Sequence, residues 1–325
     1  KADAYNHGVE RCVPVMEANG ADAFGVATFA EARRVRELTT KPVLAWLWDP
    51  HEELPAGVDV GVPSFTHLHS LIDAPMAPTV YLKVDTGMHR SGIDEVRWQE
   101  AFELALDAQR KGKLTVAGLM THLSCADDPA DPYTDQQAAA FRRAIAQARQ
   151  VGLELPRNHA ANSPATWTRP DLHFDMVRPG VSLYGLEPVD GLDHGLKPAM
   201  AWSAPVVTVK PMRTGEATSY ARTWQAPADG FTAVIPAGYA DGLQRLWQGA
   251  VEVDIAGRAY PQVGRVSMDQ IVVWLGDNDA GVTAGDEAVI FGDATALAKR
   301  AGTINYEVVC APRGRTTRTY IGEGK

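Results

Sequence analysis

Cysteine is scarce in this sequence: Cys12, Cys125 and Cys310 are the only three in 325 residues. An odd number with no paired spacing argues against a disulfide framework and against a zinc site, and makes the cytosol the expected compartment. No apolar run reaches the roughly 18 residues that a membrane helix needs, so no membrane partner is expected. The opening KADAYNHG is charged and polar where a signal peptide would be apolar. Positive charge is in deficit, 31 Lys plus Arg against 40 Asp plus Glu for a net −9, and no basic stripe suits a phosphate backbone, so nucleic acid is not an expected partner. Repeats and low-complexity tracts are missing. So is the pair of strand-end carboxylates that glycoside hydrolysis requires. What is present is an ordinary globular composition, 45% hydrophobic and 22% charged, in a length that suggests about two domains.

From the start to about residue 194, apolar β-branched runs alternate with stretches of helical period. The runs at 22–28, 42–48, 79–86 and 115–123 are expected as buried strands, and 29–38, 95–112 and 135–152 as helices, the last two closed by Gly. Strand then helix, repeated, predicts a (β/α)8 TIM-type barrel over 1–194, with chemistry at the C-terminal ends of its strands. From 195 to 325 the texture becomes alternating and Gly-punctuated, at 204–212, 231–242, 250–261 and 269–277, with one helix at 294–302. This predicts a mostly β C-terminal domain.

Polar residues fall where the barrel would place its site. A lysine such as Lys1, desolvated at a strand end, is able to act as an amine nucleophile; taken alone, most lysines are solvated surface charges. LKVDTGMHRSG sets Lys83 and Arg90 around Asp85 and a glycine turn, either a fork for a carboxylate or a solvated loop. His122 ends a strand-like run, as a proton-transfer group or a hydrogen-bonded core residue. Ser163, Gly180 and Val181 lie in small-residue loops able to cradle phosphate or simply to turn. Arg178 stands in a run that otherwise reads as buried. In the second half Tyr220, Tyr239, Met268 and Tyr306 sit in polar islands, where ordinary half-buried β residues are the competing reading.

In this order KADAYNHG, LKVDTGMHRSG, THLSCADD, HAANSPA, VRPGVSLYG, SYART with GYADG, VGRVSMDQ and INYE resemble the alanine racemases, pyridoxal-phosphate enzymes with a barrel and a C-terminal β domain. The resemblance spans the whole chain. It implies interconversion of L- and D-alanine, supplying D-alanine for peptidoglycan. Lys1 would carry pyridoxal phosphate and serve as one acid/base group, with Tyr220 as the other, because racemisation needs a base on each face of Cα. His122 would hydrogen-bond Tyr220. Arg178 would contact the pyridine nitrogen, supported by His159. Tyr5, Ser163, Gly180, Val181 and Tyr306 would bind the phosphate. Arg90 would reach the phenolic oxygen of the cofactor and the substrate carboxylate, and Lys83 matches a lysine that the family often carbamylates. Tyr239 and Met268, the latter through its backbone, would shape the substrate pocket. A homodimer with composite sites is implied, Lys1 of one subunit facing Tyr220, Tyr239 and Met268 of the other.

Some positions depart from the family pattern: Asn6 where Gly is usual, His89 for a smaller residue, Ser91 for a bulky aliphatic one, and the ending PRGRTTRTY. The alternative they leave is a broader-specificity amino-acid racemase. Decarboxylases on this scaffold pair the ring nitrogen with an acid, which Arg178 opposes; a non-enzymatic pyridoxal-phosphate carrier is a lone barrel, which residues 195–325 oppose. Family members also have a first barrel strand and helix ahead of the lysine, so the native protein is expected to extend before Lys1.

Overall fold

The computed structural model describes residues 1–322. Its backbone contacts divide into two units. The first contains Lys1–Ala4, Gly8–Leu183 and Glu187–His194; the second contains Tyr5–His7, Tyr184–Leu186 and the chain from Gly195 onward.

In the first unit five strands, β1 (Phe24–Val26), β2 (Val43–Ala45), β3 (Asp59–Val62), β4 (Thr79–Lys83) and β5 (Thr115–Met120), pair in parallel in sequence order. A sixth position follows, where Met120 bridges His159 in parallel and the His159 N–H donates to the Leu119 carbonyl at 3.0 Å. Here Gly118 has a definite reason: a Cβ would lie 2.1 Å from the Arg157 carbonyl oxygen. The strands are apolar on both faces, as parallel sheets covered by helices are. In β4, Val80 and Leu82 are fully buried on one face while Tyr81 and Lys83 share the other.

The helices carry their own start and stop signals. Phe29–Arg36 begins in a capping box, Thr28 Oγ1 accepting from Glu31 N–H while Glu31 accepts from Thr28 N–H, and it buries Phe29, Ala32 and Val35 at spacings of three. Trp98–Arg110 follows a single 3-10 turn at Glu95–Arg97, so the run read as one helix over 95–112 is two elements. Tyr133–Val151 ends at Gly152, whose φ of 109° is a left-handed cap. Elements without a legible sequence pattern include β3, interrupted by Gly61, the helix Phe65–Ile72, the helix Val9–Ala18, which contains Pro14, and the short helix Ser163–Thr168 in what reads as a small-residue loop.

The second unit is built on a seven-stranded antiparallel sheet. Its strands are β6 (Trp202–Pro205), β7 (Thr208–Met212), β10 (Gly230–Ile235), β11 (Glu252–Ile255), β12 (Arg258–Val263), β13 (Ile271–Gly276) and β14 (Glu287–Phe291), in the order β6-β14-β11-β12-β13-β10-β7. The small pair β8 (Ala217–Thr218) and β9 (Trp224–Gln225) stands apart. β13 alternates buried and half-buried residues over its six positions, the mark of a sheet with one face packed. The strand expected over 231–242 stops at Ile235, because Gly238 and left-handed Gly242 frame a 3-10 turn at Tyr239–Asp241. INYE is likewise a helix, Asn305–Cys310, rather than part of a strand-like stretch.

One local feature is unusual. Ala2, Asp3, Ala4, Tyr5 and Asn6 all have positive φ, between 51° and 66°. Each non-glycine residue held this way costs about 1–2 kcal/mol, so five in a row persist only where surrounding groups fix them. In the first unit Asp3 does part of this, its carbonyl accepting from Gly8 N–H at 3.0 Å and its carboxylate from Val9 N–H at 3.0 Å.

Candidate active site

The C-terminal ends of the parallel strands gather a cationic cluster. Arg178 is at its centre. The guanidinium donates from Nη1 to His159 Nδ1 at 2.5 Å and from Nη2 to the carbonyls of Thr121 and Ala160 at 2.8 and 3.1 Å, with His122 Nδ1 at 3.5 Å. All these acceptors are neutral. Burial brings Arg178 down to about 10, still a cation at neutral pH. His159 is fully buried, and burial together with the Arg178 charge holds its imidazole well below the ordinary value. It is therefore neutral, with its proton on Nε2 so that Nδ1 can accept. The Nε–H of Arg178 has no hydrogen-bond partner among the described residues.

Around this centre lie Lys83, Arg90, His122 and Lys1. Lys83 is brought down to about 8 by burial and by Arg90 and Arg178, with Asp85 opposing. His122 is pushed to about 3 by burial and by the charges of Arg178, Arg90, Lys83 and Lys1. Four cationic groups near enough for the one imidazole of His122 to sense them all, with Asp85 opposing them at Lys83, form a site suited to an anion. The Arg90 turn is fixed by Asp85, whose Oδ1 accepts from the N–H groups of Gly87 and His89 at 2.9 and 3.2 Å. His89, at a left-handed φ of 53°, faces outward over Asp85. The 163–182 loops meet here too: Gly180 N–H donates to Ser163 Oγ at 2.7 Å, and Ser182 Oγ is buried with no hydrogen-bond partner among the described residues.

Three positions that sequence reasoning passed over support the cluster. Thr121 supplies a carbonyl to Arg178 and bonds Thr86 Oγ1 at 2.9 Å. Gln137, fully buried, donates to the His122 carbonyl at 3.2 Å and to Thr86 at 3.3 Å, and accepts from Ser124 N–H at 2.9 Å. Ser182 adds the unpaired hydroxyl. A fully buried amide on a helix face is a signal, but its partners lie up to 51 residues away and have no local pattern.

The second unit contains the remaining positions. Tyr5 packs against Tyr184 and Tyr306, with ring centroids 5.1 and 5.9 Å away. Burial, with the Cys310 thiol beside it, pushes its hydroxyl up to about 12, so it remains a protonated donor. Tyr220 is 70% exposed, in a turn where Ser219, Ala221 and Arg222 have left-handed φ. Tyr239 and Met268 are brought together by their backbones: Tyr239 N–H donates to Ser267 O and Ala240 N–H to Met268 O, both at 3.0 Å. Gly238 makes that approach possible, since a Cβ there would lie 2.3 Å from both carbonyl oxygens. Asp241 secures the same turn, taking both oxygens of its buried carboxylate to Arg315 at 2.8 Å.

A parallel α/β unit with amine, guanidinium and imidazole groups at its strand ends, combined with an antiparallel β unit, defines a barrel-plus-β-domain class of enzyme. Residues 1–188 match the model for the alanine racemase N-terminal domain and residues 199–320 that for the C-terminal domain. The chain belongs to the alanine racemase family. It is 59% identical over 337 aligned residues to the alanine racemase of Corynebacterium efficiens, covering 100% of this chain and 91% of that protein. The crystal structure of the alanine racemase from Corynebacterium glutamicum is 52% identical with a TM-score of 0.89, covering 98% of this chain and 90% of that one. That from Streptomyces lavendulae is 36% identical with a TM-score of 0.94, covering 99% and 89%.

Proposed function

We propose that the protein interconverts L- and D-alanine with pyridoxal phosphate as cofactor, by a two-base reaction using Lys1 and Tyr220. The observation that carries this reading is the environment of Arg178. Its guanidinium is held by a neutral imidazole and carbonyls, no carboxylate among the described residues pairs with it, and its Nε–H is left to donate to an acceptor such as a neutral pyridine nitrogen. The wider donor set fits the same cofactor: the excess of positive charge, the unpaired Ser182 hydroxyl and the protonated Tyr5 all suit a phosphate.

The chemistry supplied by bound pyridoxal phosphate is an electron sink for the pair left when the substrate Cα–H ionises. Lys1 holds the cofactor and moves the Cα proton on one face; Tyr220 moves it on the other. Arg178 keeps its own proton and donates a hydrogen bond, a weaker pull on the ring than a proton would exert, and a weaker sink favours return of the proton to Cα over side reactions. His159 fixes Arg178, and His122, neutral and with Nδ1 turned to Arg178, would donate from Nε2 to the hydroxyl of the Tyr220 that completes the site. Arg90 binds the substrate carboxylate, braced by Lys83 when that amine is carbamylated. Ser163, Gly180, Val181, Tyr5 and Tyr306 orient the phosphate, and Tyr239 and Met268 bound the space for the substrate side chain. Tyr220, Tyr239 and Met268 are 70%, 38% and 53% exposed, which supports a homodimer in which they complete the site of a neighbouring subunit. The setting is the cytoplasm, with D-alanine destined for peptidoglycan.

The test is Cα deuterium exchange of L- and D-alanine in heavy water, with L-serine alongside, on protein loaded with pyridoxal phosphate. Exchange with appearance of the opposite alanine enantiomer supports the reading. A serine rate close to that of alanine would instead favour the broader-specificity racemase, and absence of exchange with bound cofactor would overturn the reaction.

A further inference from the structure

The three residues 5–7 are held carbonyl by carbonyl within the second unit. The Tyr5 carbonyl accepts from His7 Nδ1 at 2.9 Å, the Asn6 carbonyl from Arg318 Nε at 2.9 Å, and the His7 carbonyl from the Tyr320 hydroxyl at 3.1 Å. The Asn6 side chain adds three more bonds. Its Nδ2 donates to the carbonyls of Val309 and Pro312 at 3.1 and 2.8 Å, and its Oδ1 accepts from Arg318 Nη2 at 2.6 Å.

Those partners have a meaning. Val309 belongs to the last turn of the helix Asn305–Cys310, where carbonyls have no intrahelical donor, so Asn6 caps the helix that carries Tyr306. The same residue directly follows Tyr5, whose ring lies 5.9 Å from that of Tyr306. Asn6 thus links the backbones beneath two tyrosines on distant parts of the chain, and Arg318 locks Asn6 from the C-terminal segment. Glycine at this position would accept the φ of 66° but would supply neither the two donated bonds nor the acceptor for Arg318 Nη2.

We infer that Asn6 and Arg318 are positioning residues for the Tyr5–Tyr306 pair, and that through it they set the affinity of this protein for the phosphate group of pyridoxal phosphate. The inference rests on the reading of Tyr5 and Tyr306 as phosphate donors. Neither Asn6 nor Arg318 touches the phosphate in this scheme; they fix the distance between two hydroxyl-bearing rings.

The experiment compares dissociation constants for pyridoxal phosphate and for pyridoxal, which lacks the phosphate, by titrating the full chain freed of cofactor. The variants are Asn6→Gly, Arg318→Met, Arg318→Lys and Tyr5→Phe, with the double variant Asn6→Gly/Tyr5→Phe. Asn6→Gly, which removes three hydrogen bonds, and Arg318→Met, which removes two, should each weaken pyridoxal phosphate roughly tenfold, only part of their cost reaching the phosphate through the tyrosines, while changing pyridoxal by less than about twofold. Arg318→Lys, which keeps a donor, should recover part of the loss, and in the double variant Asn6→Gly should cost less on top of Tyr5→Phe than it costs alone, because only the Tyr306 share is left to lose. Equal weakening of both ligands, or of neither, with Tyr5→Phe selective for the phosphate, overturns the inference and leaves the Tyr5 reading standing. A Tyr5→Phe variant that binds both ligands normally overturns that reading and the inference with it. Arg318 lies on an exposed part of the chain, so its variants decide the matter should Asn6→Gly not fold.

Discussion

Lys83 offers a quantitative prediction because its environment opposes its charge. The amine ends β4 with the residue 8% exposed, brought from 10.5 to about 8 by burial and by Arg90 and Arg178. At pH 7.5 an ordinary lysine is neutral to about one part in a thousand, whereas an amine at about 8 is neutral to about one part in four, roughly two hundredfold more nucleophile. Only the neutral amine attacks carbon dioxide: an N–C bond forms, a proton leaves to water, and a cation becomes an anion beside two guanidiniums. The stability consequence has a definite sign. Between about pH 8 and 10.5 the unfolded chain holds the Lys83 proton and the folded one does not, so stability rises with pH across that window by about 1.4 kcal/mol per unit, about 3 kcal/mol in all. Urea unfolding in carbon-dioxide-free buffer should therefore show the wild type below Lys83→Gln at pH 8 and converging with it by pH 10. Bicarbonate at pH 8 should raise the wild type alone and leave a carbon-13 carbamate signal from labelled bicarbonate. A wild-type-minus-variant difference that ignores both pH and bicarbonate, with no such signal, would refute the electrostatic argument.

Tyr220→Phe should slow Cα proton removal from one alanine enantiomer about 10²- to 10⁴-fold, the usual share of a general base, while the visible band of bound cofactor stays; a matching loss of cofactor would make Tyr220 structural. His159→Asn keeps an acceptor for Arg178 but cannot take a proton. Because the folded pKa of His159 lies below 6.5, the wild type loses stability as pH falls under that value, and the variant should be less acid-sensitive by about 1.4 kcal/mol per pH unit, read from unfolding at pH 6.5, 6 and 5; equal slopes would mean His159 is not held neutral. Gly238→Ala places a methyl 2.3 Å from the Ser267 and Met268 carbonyls. It should raise KM for alanine severalfold with pyridoxal-phosphate affinity unchanged, and an unaltered KM would separate this turn from the substrate pocket.

How much of this was legible in sequence depended on the range of the interactions involved. β2, β4 and β5 announce themselves as β-branched runs, and the helix Tyr133–Val151 through its period and its closing Gly152. β3 does not, since four residues with a glycine among them have too little pattern to distinguish them from a loop. Tyr306 reads as part of a strand-like stretch, because INYE has β-favouring residues and its helix is only six residues long. In the cluster, Arg178 stands out as a charge in an apolar run and His122 as the polar end of a strand-like run, whereas the link from His159 to Arg178 comes from the family likeness. Gln137, Ser182 and the bond from Asn6 to Val309, spanning 303 residues, belong to contacts that only folding creates.

The path of the chain between its two units has a consequence for anyone who would treat them as exchangeable cassettes. Residues 5–7 and 184–186 are grouped by contact with the antiparallel unit although they lie far upstream of Gly195. A fragment cut at residue 195 would leave Arg318 and Tyr320 without the carbonyls of Asn6 and His7 that they grip here. Transplanting the β unit would therefore mean transplanting residues 5–7 with it, and a recombinant between relatives should keep the Asn6–Arg318 side-chain bond only where both residues come from one parent.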